Sequence, residues 1–251
     1  MRIIMAAALV IGINYEGQDC ALQGCLNDAY NVSKFLRPLG YDITLLTDRT
    51  VIKPIKQNIL LALNRLVDSP YQRLFFSYSG HGSYVRDVNG DETDGRDECL
   101  VPLDCDRVGY ITDDVLRLIV QRLRPDQRLF CLFDSCHSGT ALDLTYNIRR
   151  GLFNRSPDGW TMNKDRGLPP TAGQVVLLSG CKDNQYSTDA YINGQNQGAL
   201  TASFLTSLAT KNLTYRSLLQ RIDQKLKEGN YSQTPMLSSG QLISLSDSFS
   251  L

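Results

Sequence analysis

Short apolar runs alternate along the chain with segments in which apolar positions recur every three or four residues. Five of the runs are compact and bounded by polar or turn residues, which is typical of buried strands. These runs are residues 6–14, 42–47, 72–79, 128–134 and 174–181. The three-to-four-residue spacing elsewhere is that of a helix with one apolar face. The pattern therefore predicts strands and helices in alternation.

The helical segments carry recognisable faces and ends. In the second of them, Ile55, Ile59, Leu63 and Leu66 share one face. The first stops at Pro38 and Gly40, and the third opens with a Thr/Asp cap. The segments are residues 20–40, 53–69, 112–124, 198–210 and 214–228. Strand–helix alternation of this kind predicts an α/β fold with a mostly parallel central sheet and helices on both faces.

Two segments interrupt this alternation. Residues 84–99 form an acidic stretch that contains glycine, and residues 145–173 form a polar stretch rich in Arg, Asn, Gly and Pro. We interpret 145–173 as a flexible surface connection within one domain.

Composition narrows the class of protein. Hydrophobic residues make up 42% of the chain, and its 26 basic and 26 acidic residues cancel. Such a balance indicates a globular protein and gives no sign of a nucleic-acid or membrane surface. The N-terminal run "MRIIMAAALVIGINY" could be a signal peptide, but no small-residue cleavage site precedes a polar start. A first buried strand is the favoured interpretation.

Cysteine usage indicates the compartment. Seven cysteines without framework spacing are typical of free thiols in a reducing, cytoplasmic setting. The chain has no C-x-x-C motif and only two histidines, which argues against a zinc site.

Two of the predicted strands end in residues that carry chemistry. The third ends in "FFSYSGHGS" and the fourth in "CLFDSCHSG". If these strands are parallel neighbours, His81 and Cys136 emerge at the same edge of the sheet. An imidazole can take the proton of a thiol and create a nucleophile, and backbone N–H groups near Cys136 and Gly82 could form an oxyanion hole. His137 is the rival base, although adjacent side chains usually diverge.

Several ordered motifs carry a family resemblance. "YSGHG", "DECLVPLD", "ITDD", "DSCHSG" and "SGCKDNQYS" resemble those of a metacaspase, in the caspase-like clan of cysteine peptidases. The sequence departs from the caspase signature Q-A-C-x-G, because it has D-S-C-H-S-G. The resemblance implies a caspase-hemoglobinase-like three-layer sandwich. It also implies one catalytic domain, 1–251, without an N-terminal prodomain.

Within this domain the resemblance distinguishes three parts. They are a large-subunit-like region at about 1–144, the connector 145–173, and a small-subunit-like region at 174–251. We keep the name connector for residues 145–173 below.

The same resemblance implies an acidic substrate pocket for Arg or Lys before the cut. Asp28, Ser79 and Asp134 line it, with Cys25 beside them. Residues two apart in a strand face the same side, which places Asp134 with Cys136. Two carboxylates can bind a guanidinium or an ammonium. The simpler alternatives are a helix-surface carboxylate for Asp28 and a strand-end cap for Asp134.

Acidic residues elsewhere suggest a calcium ion. Residues 87–98 place acids at spacings like those of an EF-hand, but Glu92 stands where that loop needs glycine, and the flanks resemble strands. The resemblance implies a different ligand set for Ca²⁺, namely Asp97, Asp113, Asp114 and Asp143. A helix cap is the alternative role of Asp113 and Asp114.

The favoured function is a calcium-stimulated cysteine endopeptidase that acts as a monomer on proteins or peptides with Arg or Lys before the cut. Self-processing is expected in the connector, at Arg149, Arg150, Arg155, Lys164 or Arg166. The alternatives are a catalytically silent scaffold of the same fold and a calcium-binding regulatory module.

Overall fold

A computed structural model describes most of the chain. The described residues are 6–86, 95–136, 141–150, 159–164, 167–181, 190–192 and 194–251. The strands are β1 (Ala6–Gly12), β2 (Tyr41–Thr47), β3 (Arg73–Ser79), β4 (Gly82–Arg86), β5 (Arg96–Leu100), β6 (Ile111–Thr112), β7 (Arg128–Asp134), β8 (Tyr146–Arg150), β9 (Trp160–Lys164), β10 (Gln174–Cys181), β11 (Ala190–Ile192), β12 (Gln195–Gln197) and β13 (Thr234–Ser239). The α-helices are α1 (Cys25–Leu36), α2 (Lys56–Val67), α3 (Cys105–Val108), α4 (Asp113–Val120), α5 (Ala199–Ser207) and α6 (Tyr215–Glu228).

The main sheet has, in the described part of the chain, eight strands in the order β2-β1-β3-β7-β10-β13-β8-β9. Strands β2, β1, β3, β7 and β10 are parallel, and they correspond to the five strands that the sequence predicts. Strands β13, β8 and β9 extend the sheet with antiparallel pairings. The prediction of a mostly parallel central sheet is confirmed.

Helices cover both faces of this sheet because alternate residues of its strands point to opposite sides. In β1, Ala8 and Val10 belong to the core formed with α1, α5 and α6. Leu9 and Ile11 belong to the core formed with α2 and α4. The result is the predicted three-layer α/β sandwich.

The predicted helices form, with shifts at their ends. Helix α6 begins with the reciprocal side-chain and backbone bonds of a capping box between Thr214 and Ser217. Helix α1 begins at Cys25 rather than near Cys20, and the Asn14 side chain accepts a hydrogen bond from the backbone N–H of Leu26 in its first turn. This start places Asp28 in the first turn of α1. Among the described residues, none of the helices has the length and apolar character needed to cross a membrane.

The acidic loop 87–98 has strands at both ends, as predicted: β4 precedes it and β5 begins within it. Strand β4 pairs antiparallel with β5, and β5 pairs with the short β6. This arrangement differs from the helix–loop–helix of an EF-hand. Residues 87–94, which carry most of the acidic loop, lie outside the described residues.

The prediction that the connector is a flexible surface connection is wrong for two of its parts, which form strands of the main sheet. Its strands β8 and β9 pair with each other, and β8 pairs with β13. Ile148 is fully buried and Trp160 is 4% exposed. The prediction failed because β8 and β9 are short and are separated by a polar stretch. Each strand brings only a few apolar side chains to the sheet, so neither shows a buried pattern in the sequence. Only pairing with β13, itself missed from the sequence, gives them a core to join.

Ile148→Ala tests whether the connector contributes to the core. Removing a fully buried isoleucine leaves a cavity, so we expect the free energy of unfolding to fall by about 2–4 kcal/mol. Leu118, on α4, is 66% exposed, and Leu118→Ala should change stability by less than about 0.5 kcal/mol. Urea unfolding followed by circular dichroism measures both. Equal effects of the two substitutions would show that β8 adds nothing to the core.

Candidate active site

The neighbouring strands β3 and β7 bring the two candidate catalytic residues to one edge of the sheet. Their parallel register aligns Ser79 with Asp134, the last residue of each strand. His81 and Cys136 each follow two residues later. A methyl group added to Gly82 would lie 1.8 Å from the carbonyl oxygen of Cys136. The segments that carry His81 and Cys136 are therefore in direct contact, and only glycine permits an approach this close.

The ring of His81 is held by a backbone carbonyl. Its Nε2 lies 2.7 Å from the carbonyl oxygen of Cys20. A carbonyl oxygen can only accept, so Nε2 donates in this contact. In the neutral imidazole, Nδ1 is then the acceptor, and it is free to receive a proton. The sequence interpretation did not single out Cys20 in this role, since its contribution comes from the backbone.

Two buried tyrosines support the same histidine. The ring of Tyr15 lies 4.7 Å from that of His81, measured between centroids. The Tyr15 hydroxyl accepts from the backbone N–H of His81 at 3.0 Å and donates to the carbonyl of Val101 at 2.7 Å. The Tyr78 hydroxyl donates to the carbonyl of His81 at 2.7 Å. Burial raises the pKa of both phenols above the ordinary value, so both remain neutral donors.

These tyrosines were missed from the sequence, although a signal was present. Tyr15 follows β1 in "GINYEG", and Tyr78 stands next to the end of β3 in "FSYSG". A buried phenol at the end of a strand needs a hydrogen-bond partner for its hydroxyl. Here the partners include the backbone N–H and C=O of His81. Cys25, the other predicted pocket residue, is 3% exposed at the start of α1.

The predicted acidic pair comes together in the structure. Asp28 and Asp134 are each 2% exposed. The hydroxyl of Ser79 donates to Asp28 at 2.6 Å. A methyl group on Gly198 would lie 2.0 Å from Oδ2 of Asp134 and 2.7 Å from Oδ2 of Asp28, so both carboxylates face this glycine.

The N-terminus of α5 compensates the charge of the acidic pair. The backbone N–H of Gly198, the residue before α5, donates to both oxygens of Asp28 at 2.9 and 3.0 Å. The N–H of Thr201 donates to Asp134 at 2.9 Å. The amide of Gln233 also donates to Asp134, at 3.2 Å. A helix N-terminus carries a partial positive charge, which explains how two carboxylates can be buried side by side.

A second acidic group surrounds the start of α4. Asp113 is 2% exposed, and its carboxylate accepts from the backbone N–H groups of Glu98 and Asp114 at 2.7 and 2.9 Å. Burial, together with the charges of Glu98 and Asp97, raises the pKa of Asp113 to about 8. The residue before α4 is Thr112, and no side-chain capping bond from a described residue forms there, so the bond between Asp113 and the adjacent Asp114 N–H is not the helix cap that was the alternative prediction.

Asp143 lies in a different electrostatic setting from the other predicted calcium ligands. It is 6% exposed, and its negative charge partly offsets the effect of burial on the pKa of Arg117 in α4. Burial lowers the pKa of Arg117 from its ordinary value, and the charge of Asp143 opposes that shift. Within the described residues, no three His, Cys, Asp or Glu side chains are arranged to hold a metal ion. The structure therefore does not bring the four predicted ligands together as one set. His137, the rival base, lies outside the described residues.

Comparisons with solved structures define the class of fold. The fold of this chain is similar to that of protein GSU0716 from Geobacter sulfurreducens, known from a crystal structure, with a TM-score of 0.67 and 24% sequence identity. The similarity covers 93% of this chain and 92% of that chain. The fold also matches the Drosophila initiator caspase Dronc with a TM-score of 0.57 and 11% identity, covering 95% of this chain and 80% of Dronc. The fold is caspase-like.

Sequence comparison then identifies the family. The family model described as the metacaspase, peptidase C14 domain matches residues 7–145 of this chain. Metacaspase-1 of Candida glabrata is 37% identical over 96% of this chain and 74% of its own length. Metacaspase-1A of Aspergillus fumigatus is 39% identical, over 92% of this chain and 68% of its own length. The chain belongs to the metacaspase family, and it is a cysteine peptidase of family C14.

Gly82→Ala tests the contact between the two candidate catalytic segments. The added methyl group cannot fit 1.8 Å from the Cys136 carbonyl, so the backbone must move. A shift of about 1 Å in a reacting group can cost on the order of 100-fold in rate, and we expect peptide hydrolysis to fall by at least that factor. Ser83→Ala, at the next position, should keep most of the activity. If Gly82→Ala retained full activity with an unchanged circular dichroism spectrum, the close approach would have no catalytic importance.

Proposed function

We propose that the protein is a calcium-stimulated cysteine endopeptidase that acts as a monomer and cuts after Arg or Lys. The observation that supports this specificity most directly is the buried pair Asp28 and Asp134. Both face Gly198, and Asp134 stands two residues before Cys136.

In the proposed reaction, Cys136 is the nucleophile and His81 is the general base. His81 accepts the thiol proton, and the thiolate attacks the carbonyl carbon of the scissile bond. Backbone N–H groups near Gly82 and Cys136 stabilise the oxyanion. The imidazolium returns its proton to the leaving amine, and an acyl-enzyme forms. Water, deprotonated by His81, then releases the acid and restores the thiol. The bond from Nε2 to the Cys20 carbonyl stabilises the imidazolium in the middle of this cycle.

Remaining acceptor capacity favours a cationic side chain in the acidic pocket. A carboxylate offers about four lone-pair sites, and the bonds from Thr201 and Gln233 occupy about two of those of Asp134. An Arg or Lys of the substrate would share the two carboxylates with the N-terminus of α5. An Asp side chain would instead add a third buried negative charge, which is strongly unfavourable.

Calcium is proposed to bind Asp97, Asp113, Asp114 and Asp143, which would have to move together on binding because they do not form one set among the described residues of the structure. The raised pKa of Asp113 supports this, because crowded carboxylates with hard oxygen donors favour a divalent cation over a proton. Bound calcium would supply the positive charge that lets the carboxylates around Asp113 ionise together. Asp143 follows Cys136 by seven residues, so its position affects the segment that carries the nucleophile.

Peptides that differ only at the residue before the cut test this proposal. We expect Arg and Lys peptides to be cleaved in calcium, Asp peptides to be refused, and chelator to reduce turnover. Asp28→Asn and Asp134→Asn should each lower kcat/KM for the Arg peptide by about 100-fold, because a buried charged contact is lost. Asp126→Asn, at an exposed acid paired with Arg124, is the matched control. Cys136→Ala sets the background rate.

Efficient cleavage after Asp would contradict the acidic pocket. No turnover of any peptide by a folded protein would favour the silent scaffold, and turnover unchanged by chelator would contradict calcium stimulation.

Self-cleavage is proposed for the connector, with a preference among its basic residues. Arg149 and Arg150 lie within β8, whose backbone pairs with β9 and, up to Ile148, with β13. Lys164 is the exposed last residue of β9, whereas Arg155 and Arg166 lie outside the described residues. A strand held in a sheet must unpair before a peptidase can bind it, so cleavage after Arg149 or Arg150 is disfavoured. Among the described basic residues of the connector, Lys164 at the end of the edge strand β9 is the favoured site.

Incubation with calcium, followed by sequencing of new N-termini, measures this preference. The fragments should be absent in Cys136→Ala and should remain associated after gel filtration, because β8 pairs with β13 of the other fragment. An active enzyme that stays full length would show that processing is no part of its function. Main cuts after Arg149 or Arg150 would show that β8 leaves the sheet readily.

A further inference from the structure

The edge of the sheet opposite the candidate active site carries a row of polar side chains. The five parallel strands all start at this edge, and their register aligns Tyr41, Ala6, Arg73, Arg128 and Gln174. Aligned residues of parallel neighbours point to the same face, here the face covered by α1, α5 and α6. Strand β3 rises about 3.3 Å per residue from Arg73 to Ser79, so the row lies about 20 Å from the candidate active site.

Arg73 and Arg128 are direct neighbours in this row, and like charges placed opposite each other in a sheet are destabilising. Within the described part of the chain, neither guanidinium forms an ion pair with an Asp or Glu side chain. Arg73 donates from Nη1 to a backbone oxygen of Leu251 at 3.2 Å, and its Cζ lies 5.7 Å from the centre of the Tyr41 ring. Arg128 is exposed. A bound anion would offset the repulsion between the two arginines.

A cavity of about 520 Å³ lies beside these two arginines, and we call it the arginine cavity. Its walls include Tyr41, Phe130 and Tyr215, which are 7%, 7% and 8% exposed. Among the described residues, neither the Tyr41 hydroxyl nor the Tyr215 hydroxyl has a hydrogen-bond partner. Burial raises the pKa of both phenols, so both keep a proton to donate. A partly apolar cavity of this size with a few converging donors is typical of a site for a small ligand.

Two carboxylates also line the arginine cavity, and each has partners of its own. Asp126 pairs with Arg124 at 3.2 Å and accepts a hydrogen bond from the side-chain amide of Gln72 at 3.2 Å. Asp247 accepts from the backbone N–H of Ser244 at 2.8 Å. Neither carboxylate bonds to the two neighbouring arginines of the row, so both of those guanidinium groups keep donors available to an anion.

We propose that the arginine cavity binds a small organic phosphate monoester, with the phosphate between Arg73 and Arg128 and the organic part against the aromatic walls. Guanidinium groups match phosphate oxygens bidentately. The hydroxyls of Tyr41 and Tyr215 add further donors, and a phosphate offers three acceptor oxygens where a carboxylate offers two. This site is independent of calcium and of the specificity of the candidate active site.

An amide NMR titration with phenyl phosphate tests the site in Cys136→Ala, so that no self-cleavage occurs. We expect a Kd on the order of 1 mM or lower, with the largest shifts at Arg73, Arg128 and Gln174. Absence of binding at millimolar concentrations, or shifts concentrated in another part of the protein, would overturn the proposal.

Two further probes test the class of ligand. Benzoate carries a carboxylate and inorganic phosphate lacks the organic part, so each should bind about fivefold more weakly than phenyl phosphate. Equal affinity for benzoate would overturn the choice of a phosphate. Equal affinity for inorganic phosphate would overturn the role of the aromatic walls.

Substitutions in the same background locate the contacts. Arg73→Gln and Arg128→Gln should each weaken phenyl phosphate binding about tenfold, because a charge-assisted contact is lost. Tyr215→Phe keeps its ring against Phe249 and loses only the hydroxyl, so it should weaken binding about threefold. Arg122→Gln removes an equal charge from an exposed arginine outside the cavity and should leave the Kd unchanged. Equal losses in Arg122→Gln and Arg128→Gln would show attraction by net charge alone and would overturn the site.

Stability without ligand gives a second, independent measurement. Arg128→Gln removes the like-charge pair, so the unfolding equilibrium constant should fall by up to about fivefold relative to the parent. Urea unfolding followed by circular dichroism measures this change. A clear loss of stability in Arg128→Gln would show that the arginine supports the fold rather than a ligand, which would overturn the proposal.

Discussion

The parallel pairing of β3 with β7 is the constraint on which the site depends. Each strand is a run of buried apolar residues that ends in a polar residue, and the register aligns those ends at Ser79 and Asp134. A shift of one residue would turn every side chain of one strand to the opposite face of the sheet. The same register that fills both cores therefore places His81 and Cys136 at one edge and brings Gly82 against the Cys136 backbone.

Around this edge, the structure compensates the charge of the buried acidic pair. Asp28 and Asp134 are neutralised by the N-terminus of α5, a fixed backbone dipole that belongs to the small-subunit-like region.

His81 is positioned mainly by backbone groups. The Cys20 carbonyl holds its ring, while the two tyrosines hold its own N–H and C=O. Burial keeps these phenols neutral, so their hydrogen bonds are insensitive to pH over the physiological range. The loop before α1 thereby becomes part of the candidate active site, although its side chains show no catalytic pattern in the sequence.

The sequence alone determined the alternation of strands and helices, the five parallel strands, and the residues that end them, because burial on both faces imposes compact apolar runs with sharp polar ends. It also indicated the metacaspase family, through motifs such as "YSGHG" and "DSCHSG" that local chemistry makes recognisable. Only the tertiary structure decided that β8 and β9 join the sheet through β13, since each strand is too short to show a core-facing pattern by itself. It alone assigned the Cys20 carbonyl to His81 and the α5 N-terminus to Asp28 and Asp134. Those contacts join residues up to 170 positions apart, and they arise from backbone groups and burial, which side-chain patterns along the chain do not reveal.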